Sequence, residues 1–320
     1  MATDNISHKA RIVFFGTPEF ALPSLEALIS HGYTPELVVT KPDEPSGRKQ
    51  IITPPPVKVY AQAHHIPVLQ PIHLIHEIDK IPDADLFIVV AFGMIIPQAV
   101  IDKPNKGTLN IHPSLLPRWR GPSPIQSAIL NGDTETGVTL MQIDALMDHG
   151  PIISQETFSL TEKKYTSPEL HDVLGKLGAN MLINTIPGWL NNVITPVPQN
   201  DLKATYCKLL KKDHGRINWS RPADEIERMI RAYASWPSAW TLWPGRDKIY
   251  RIRIDEAEVI DDESPVGSPG YVWQTENHPL LIKTAHRSLL VQRITIEGKT
   301  TLDAKTFLRG NRELLGATFV

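Results

Sequence analysis

The densest run of chemically capable side chains is Asn110-Ile111-His112-Pro113-Ser114-Leu115-Leu116-Pro117-Arg118-Trp119-Arg120-Gly121. Asn110 and His112 stand two positions apart, so on an extended chain both point to one face. A carboxamide and an imidazole sharing a face suit a carbonyl oxygen that gains negative charge when a nucleophile adds to its carbon. Downstream, Asp144 and Asp148 flank Ala145-Leu146-Met147, and His149-Gly150-Pro151 closes the turn. A carboxylate beside an imidazole orients the ring and favours its charged form. Carboxylates in Gly/Pro-bounded turns also serve purely structural ends, as does a hydrogen-bonded histidine capping a strand. Spacing alone leaves both readings open.

Other chemistries fall away. Ser114 lacks the flanking glycines of a nucleophile elbow. A single cysteine, Cys207, excludes intrachain disulfides and zinc sites built from several cysteines. His64, His65, His73 and His76 lack a matching ligand framework, so no metal is expected. The turn Gly16-Thr17-Pro18-Glu19-Phe20 has one glycine where a dinucleotide fold places three, which argues against a nicotinamide cofactor. Basic side chains gather at Lys208, Lys211, Lys212 and Arg216, at Arg228 and Arg231, and at Arg48-Lys49 in a Pro/Gly-rich loop from Lys41 to Pro56. Such groups suit phosphates, although solvated surface explains any one cluster alone.

The elements that must carry these residues read as α/β. Arg11 to Phe15 is a strand, Thr17 an N-cap with Pro18 at the first helical position, and Leu22, Leu25, Leu28 and Ile29 keep helical spacing up to Gly32. Glu36–Thr40, the fully apolar Leu86–Ala91, Thr108–Ile111 and Gly137–Ile143 read as further strands. Strands alternating with helices over this length predict a Rossmann-like open parallel sheet, with the Asn110 loop just beyond a strand's carboxyl end, where such sheets bind ligands. Asn191–Asn200 is polar and proline-broken, a linker. Beyond it come a helix over 223–234 and short strands at Ile249–Ile254, Gly270–Gln274, Leu280–Thr284 and Leu289–Ile296, which favour a small β-barrel.

With 320 residues, 41% of them hydrophobic, the chain is long enough for two globular domains and not of disordered composition. Its 33 basic and 35 acidic side chains give a net charge of −2, divided as −5 over residues 1–204 and +3 over 205–320. No apolar run approaches the ~18–20 residues of a membrane span, and the first ten residues hold no apolar signal core, so a cytoplasmic protein is expected.

Asn110 to Pro117, followed by Gly137-Val138-Thr139 and Asp148, resembles the formyltransferases that use formyltetrahydrofolate. Within them, Pro42-Asp43 through Gly47-Arg48, Pro56-Val57-Lys58, Val90 to Pro97, Pro117 to Gly121, Lys208 to Trp219 and Trp236-Pro237 are similar to the methionyl-tRNA formyltransferases, over roughly residues 11–315. The resemblance implies a catalytic domain at 1–192, a linker at 193–207 and a C-terminal oligonucleotide-fold-like barrel at 208–320 that meets tRNA. It implies Asn110, His112 and Asp148 as the catalytic trio. Ser114, Leu115, Leu116 and Pro117, with Phe92, Gly93, Met94 and Ile95, would line the folate site. Arg48 and Lys49 would enter the tRNA acceptor stem, and Lys208, Lys211, Lys212 and Arg216 would face the tRNA. Implied too are 10-formyltetrahydrofolate as formyl donor and methionyl-initiator tRNA as partner. No membrane is expected, and since nothing in the sequence suggests an obligate dimer, a monomer is expected. Two features depart from the family pattern: the loop is less basic, with Glu44, Gln50 and Ile51, and Leu146 stands where glycine is common. The rival readings are a formyltransferase for an amino-sugar nucleotide, a non-catalytic RNA-binding barrel and, as a minor third, a folate-dependent hydrolase, which would lack residues 205–320 as a matched unit.

Overall fold

A computed structural model describes residues 10–47, 50–245, 247–261 and 267–320. In chain order it contains β1 (Ile12–Gly16), α1 (Leu22–Ser30), β2 (Leu37–Val39), β3 (Glu44–Ser46), β4 (Ile51–Thr53), α2 (Pro56–Ala63), β5 (Val68–Leu69), β6 (Leu86–Val90), α3 (Gln98–Ile101), β7 (Thr108–His112), α4 (Pro124–Asn131), β8 (Glu135–Gln142), β9 (Ile152–Ser159) and α5 (Ser167–Leu190). There follow α6 (Ala223–Ala232), β10 (Ala239–Pro244), β11 (Ile249–Ile260), β12 (Val272–Trp273), β13 (Leu281–Lys283), β14 (Ser288–Ile296), β15 (Leu302–Asp303) and α7 (Ala304–Gly310). Contacts divide the chain into one unit of residues 1–124, 135–159 and 171–207, and another of 125–134, 160–170 and 208–320.

The first unit is built on a seven-stranded sheet in the order β5-β2-β1-β6-β7-β8-β9. β1 and β6 are buried at all five positions, as strands covered on both faces must be. The sheet is parallel from β5 through β7, as expected, but β8 runs antiparallel to both of its neighbours, β7 and β9. The connection from β8 to β9 is too short for a crossover helix, and only antiparallel neighbours can be joined so briefly. Thr17 does not cap a helix: residues 19–21 form a single tight turn, α1 starts at Leu22, and the Thr17 hydroxyl donates to the Phe92 carbonyl at 2.8 Å. On the free edge of β9, Ile152 exchanges backbone hydrogen bonds with Val197 at 2.8 Å. No described helix is long and apolar enough to cross a membrane.

The second unit holds an antiparallel sheet in the order β10-β11-β14-β13-β12, with β15 on β14. The chain's last residues close it: Val320 exchanges bonds with Leu242 of β10, while Val272 of β12 bonds Ala317 and Gly316. The result is the expected barrel. β10, hidden in a Trp- and Pro-rich stretch, is a strand that the spacing of short runs does not reveal. A register shift between Ile254 and Ala257 bends β11, a bulge of the kind that lets long strands curl. Trp243, Ile252, Ile294 and Phe307 fill the interior.

Trp243 is 1% exposed and stacks on Tyr250 with ring centroids 5.1 Å apart. Trp243→Ala is expected to cost about 3–5 kcal/mol, the usual range for truncating a buried aromatic. Urea unfolding followed by circular dichroism measures this; a loss below about 1 kcal/mol would put the barrel's packing centre elsewhere.

Candidate active site

β7 is bonded on both sides, and its register on β8 sets Asn110 opposite Met141 and His112 opposite Thr139. Side chains two apart on a strand share a face, so Asn110 and His112 project together. His112 is buried, and its Nε2 lies 2.9 Å from the Trp119 carbonyl. A carbonyl only accepts, so Nε2 carries a proton and donates. Nδ1 stands 3.6 Å from Asp148 Oδ1, an ion-pair separation rather than a hydrogen bond. The other carboxylate oxygen, Oδ2, accepts from the Gly121 N–H at 2.8 Å. Gly121 has φ +116°, and a Cβ there would lie 2.5 Å from the Cys207 carbonyl, so no larger residue fits.

Asn110 and His112 were expected to bind one oxygen together, and the structure gives them different states. Among the described residues no hydrogen bond engages the half-buried Asn110 carboxamide. The His112 Nε2 proton is already taken by Trp119, so Asn110 is the donor open to a ligand without rearrangement. Asp148 reaches the ring from an indirect direction. The connection leaving β8 begins beside Leu109, about 10 Å down the strand from His112, and folds back over the sheet. Gly150 permits the return, since any side chain there would run into the Gln142 carbonyl.

Several further residues hold this geometry, some inside the quoted motifs, as Thr139 and Arg120 are, and some outside them, as Gln199 is. Thr139 Oγ1 donates to the Ser114 carbonyl at 2.6 Å and accepts from Leu116 N–H and Gln155 Nε2, pinning the Ser114–Leu116 loop onto β8. Arg120, 2% exposed, donates through Nε and Nη2 to Gln199 Oε1 at 3.0 and 2.8 Å, and through Nη2 to Asp201 Oδ1 at 2.8 Å. Gln199 Nε2 in turn donates to the carbonyls of Asp148 and Gly150, at 2.9 and 2.8 Å. The hydrogen bond from Arg120 chiefly holds the Asp201 carboxyl below its ordinary range. His149 Nδ1 lies 2.6 Å from Asp144 Oδ2 and Nε2 3.5 Å from Asp201 Oδ2. The bond to Asp144 is the main cause that raises the imidazole above its ordinary value, against a smaller opposing effect of burial.

The remaining sequence candidates are variously disposed. Ser114 and Leu116 are buried, with Ser114 Oγ donating to the Arg118 carbonyl, while Leu115 and Pro117 are half-exposed. Phe92 is buried, its ring packing in the core 5.5 Å edge-on to Phe15. Gly93 and Ile95 are exposed and Met94 rests partly on the core. Arg48 and Lys49 lie outside the described residues. Among the described residues of the same loop, Glu44 pairs with Lys41 at 2.6 Å, which offsets one of its cations. In the second unit Lys208, Lys211, Lys212 and Arg216 are exposed. Arg231, by contrast, is bound to Glu227 and to the Tyr165 carbonyl, and Arg228 to the Leu130 carbonyl.

Residues 10–186 match the family model described as formyl transferase, and residues 209–312 match that of the formyl transferase C-terminal domain. A methionyl-tRNA formyltransferase of Pelobacter propionicus is 43% identical over 305 residues, covering 93% of this chain and 92% of that protein. One from Chloroflexus aggregans is 42% identical over 306 residues, covering 94% and 97%. Among solved structures, HypX from Aquifex aeolicus in complex with tetrahydrofolic acid superposes with a TM-score of 0.64 at 19% identity, over 94% of this chain and 47% of that one. The N-formyltransferase from Helicobacter canadensis, in complex with folinic acid and dTDP-3-aminofucose, gives a TM-score of 0.64 at 22% identity, over 88% and 98%. These structural likenesses bear on fold alone.

The elevated His149 makes the turn that carries Asp148 sensitive to pH. A group whose folded value is raised stabilises the native state fully below its unfolded value, about 6.5 for histidine, and the benefit is lost as pH rises through the folded value. His149→Gln is therefore expected to lower Tm relative to wild type at about pH 6, with the gap closing by about pH 9. Paired melting curves check this, and a gap that widens with pH would contradict it.

Proposed function

The chain belongs to the formyl transferase family, and from that premise we infer that it transfers a formyl group to the free α-amino group of methionyl-initiator tRNA, giving N-formylmethionyl-tRNA for translation initiation. The likeness to methionyl-tRNA formyltransferases along nearly the whole chain supports this substrate. The Asn110 carboxamide, engaged by no hydrogen bond among the described residues, lies beside the His112–Asp148 pair and is the observation that carries the chemistry.

The proposed donor is 10-formyltetrahydrofolate, which supplies an activated formyl carbonyl. The donor set suits it: an open amide N–H for the formyl oxygen, with exposed Gly93 and Ile95 and half-exposed Leu115 and Pro117 available for the rest of the molecule. An α-amino group has a reference pKa of about 7.7–8.0, so the attacking amine is substantially neutral near pH 8 without a strong base. As it adds to the formyl carbon, charge moves to the formyl oxygen, where the Asn110 amide stabilises it; the carbonyl then re-forms, the donor's C–N10 bond breaks, and tetrahydrofolate leaves with the proton given up by the attacking amine. The His112 ring, oriented by Asp148, joins once its Nε2 exchanges the Trp119 carbonyl for that oxygen. We assign catalysis to residues 1–192, with a linker at 193–207, and tRNA contact to residues 208–320 through Lys208, Lys211, Lys212 and Arg216, assisted by Arg48 and Lys49. Action as a cytoplasmic monomer is part of the same reading.

Losing one such donor typically costs about 10²–10³-fold in turnover. Asn110→Ala is expected to fall in that range while folate binding changes little. Single-turnover formylation of charged initiator tRNA measures it, with uncharged tRNA and a uridine- or thymidine-linked amino sugar as controls. A wild-type rate would remove the oxyanion role, and formylation of the sugar alone would replace the substrate.

Binding of tRNA is expected to weaken steeply with salt through counterion release. Reversing charge at Lys211 and Lys212 should flatten the plot of log affinity against log salt by about one to two units of slope. An unchanged slope would take this patch out of the interface.

A further inference from the structure

We propose that Gln199, held in place by Arg120, is a positioning residue that sets the Asp148 carboxylate opposite His112, so that the 199–201 segment must be seated for formyl transfer. This rests on the catalytic role given to Asp148 above. Three consecutive residues reach the site by three routes. The Trp119 carbonyl accepts from His112 Nε2, the Gly121 N–H donates to Asp148 Oδ2, and the Arg120 side chain between them acts through Gln199 on the backbone of Asp148 and Gly150. Ring, carboxylate and the turn bearing the carboxylate are thus referred to one short stretch of chain.

Two features of Gln199 mark it as more than linker packing. First, its carboxamide is used at both ends. Oε1 accepts two bonds from Arg120, while Nε2 donates one to each carbonyl flanking His149. Only an amide does both, because a glutamate would set negative oxygens against two carbonyls. Second, the backbone it grips is strained. Asp148 has φ +48°, a left-handed conformation that a non-glycine residue keeps only when its surroundings over-determine it. Released from Gln199, the turn can relax, and the 3.6 Å approach to His112 is then no longer fixed. Arg120 contributes a stationary cation, 2% exposed and tied also to Asp201.

The test uses the full chain and single-turnover formylation of charged initiator tRNA at enzyme excess, which keeps slow variants measurable. Gln199→Ala removes both ends of the carboxamide. Gln199→Glu keeps the acceptor for Arg120 and deletes the donors, and it carries the test should the alanine variant not fold. Each is expected to lower the rate about 10- to 100-fold, the range for outer-shell misplacement, with KM for the folate donor within about twofold of wild type. In an Asp148→Asn background, Gln199→Ala should add less than about twofold, because no carboxylate remains to be aligned. Near-wild-type rates for both Gln199 variants would overturn the proposal, as would a full additional loss in the Asp148→Asn background, which would mark a merely structural role. Asp148→Asn alone separates the two levels: a wild-type rate there removes the catalytic reading itself, whereas a slow Asp148→Asn beside fast Gln199 variants removes only the positioning.

Discussion

The two oxygens of Asp148 face different partners, and much of the first unit is arranged so that they can. Oδ2 is fixed by the Gly121 N–H while Oδ1 looks at His112. A largely enclosed carboxylate is costly unless hydrogen bonds and a nearby positive or polar partner compensate it. Meeting both demands requires the loop after β7 and the loop after β8 to cover the same face of the sheet. Gly121 and Gly150 make that possible, each at a point where a side chain would collide with a carbonyl.

The two units reach rigidity by different means. The barrel has an apolar interior of Trp243, isoleucines and Phe307, where shape complementarity does the stabilising. Around Asp148 the order comes from polar side chains whose donors and acceptors are nearly all used, including a buried arginine. Such networks are not efficient stabilisers, because desolvation offsets much of what the bonds return. They do select a single arrangement, since a shifted member leaves a buried group unpaired.

Legibility in the sequence followed periodicity and failed where geometry is non-local. Leu86–Val90 announces itself because a strand covered on both faces needs unbroken apolar residues. The Asn110–His112 spacing likewise forces a shared face. β9 escaped notice because its outer side is polar and its burial alternates weakly, and β10 because tryptophan and proline mask the pattern. The engagement of His112 Nε2 by a backbone carbonyl was unreadable, since no residue type signals it. Arg120 sat inside the recognised motif with no visible partner. Gln199 and Asp201 lay in a stretch whose composition says only linker. Thr17 shows the opposite failure: a favourable local pattern for capping yielded to a tertiary bond with Phe92.

The bond exchange between Val197 and Ile152 also covers part of a sheet edge. β9 is the outermost strand of its sheet, and an unguarded outer strand offers a row of free amides and carbonyls to any chain that drifts past. The proline-broken stretch before Gln199 occupies part of that row and is itself a poor template, because its prolines lack amide hydrogens. A chain whose stretch peels away would present bare backbone to its neighbours, so dislodging this segment leads toward self-association as well as toward a loosened turn.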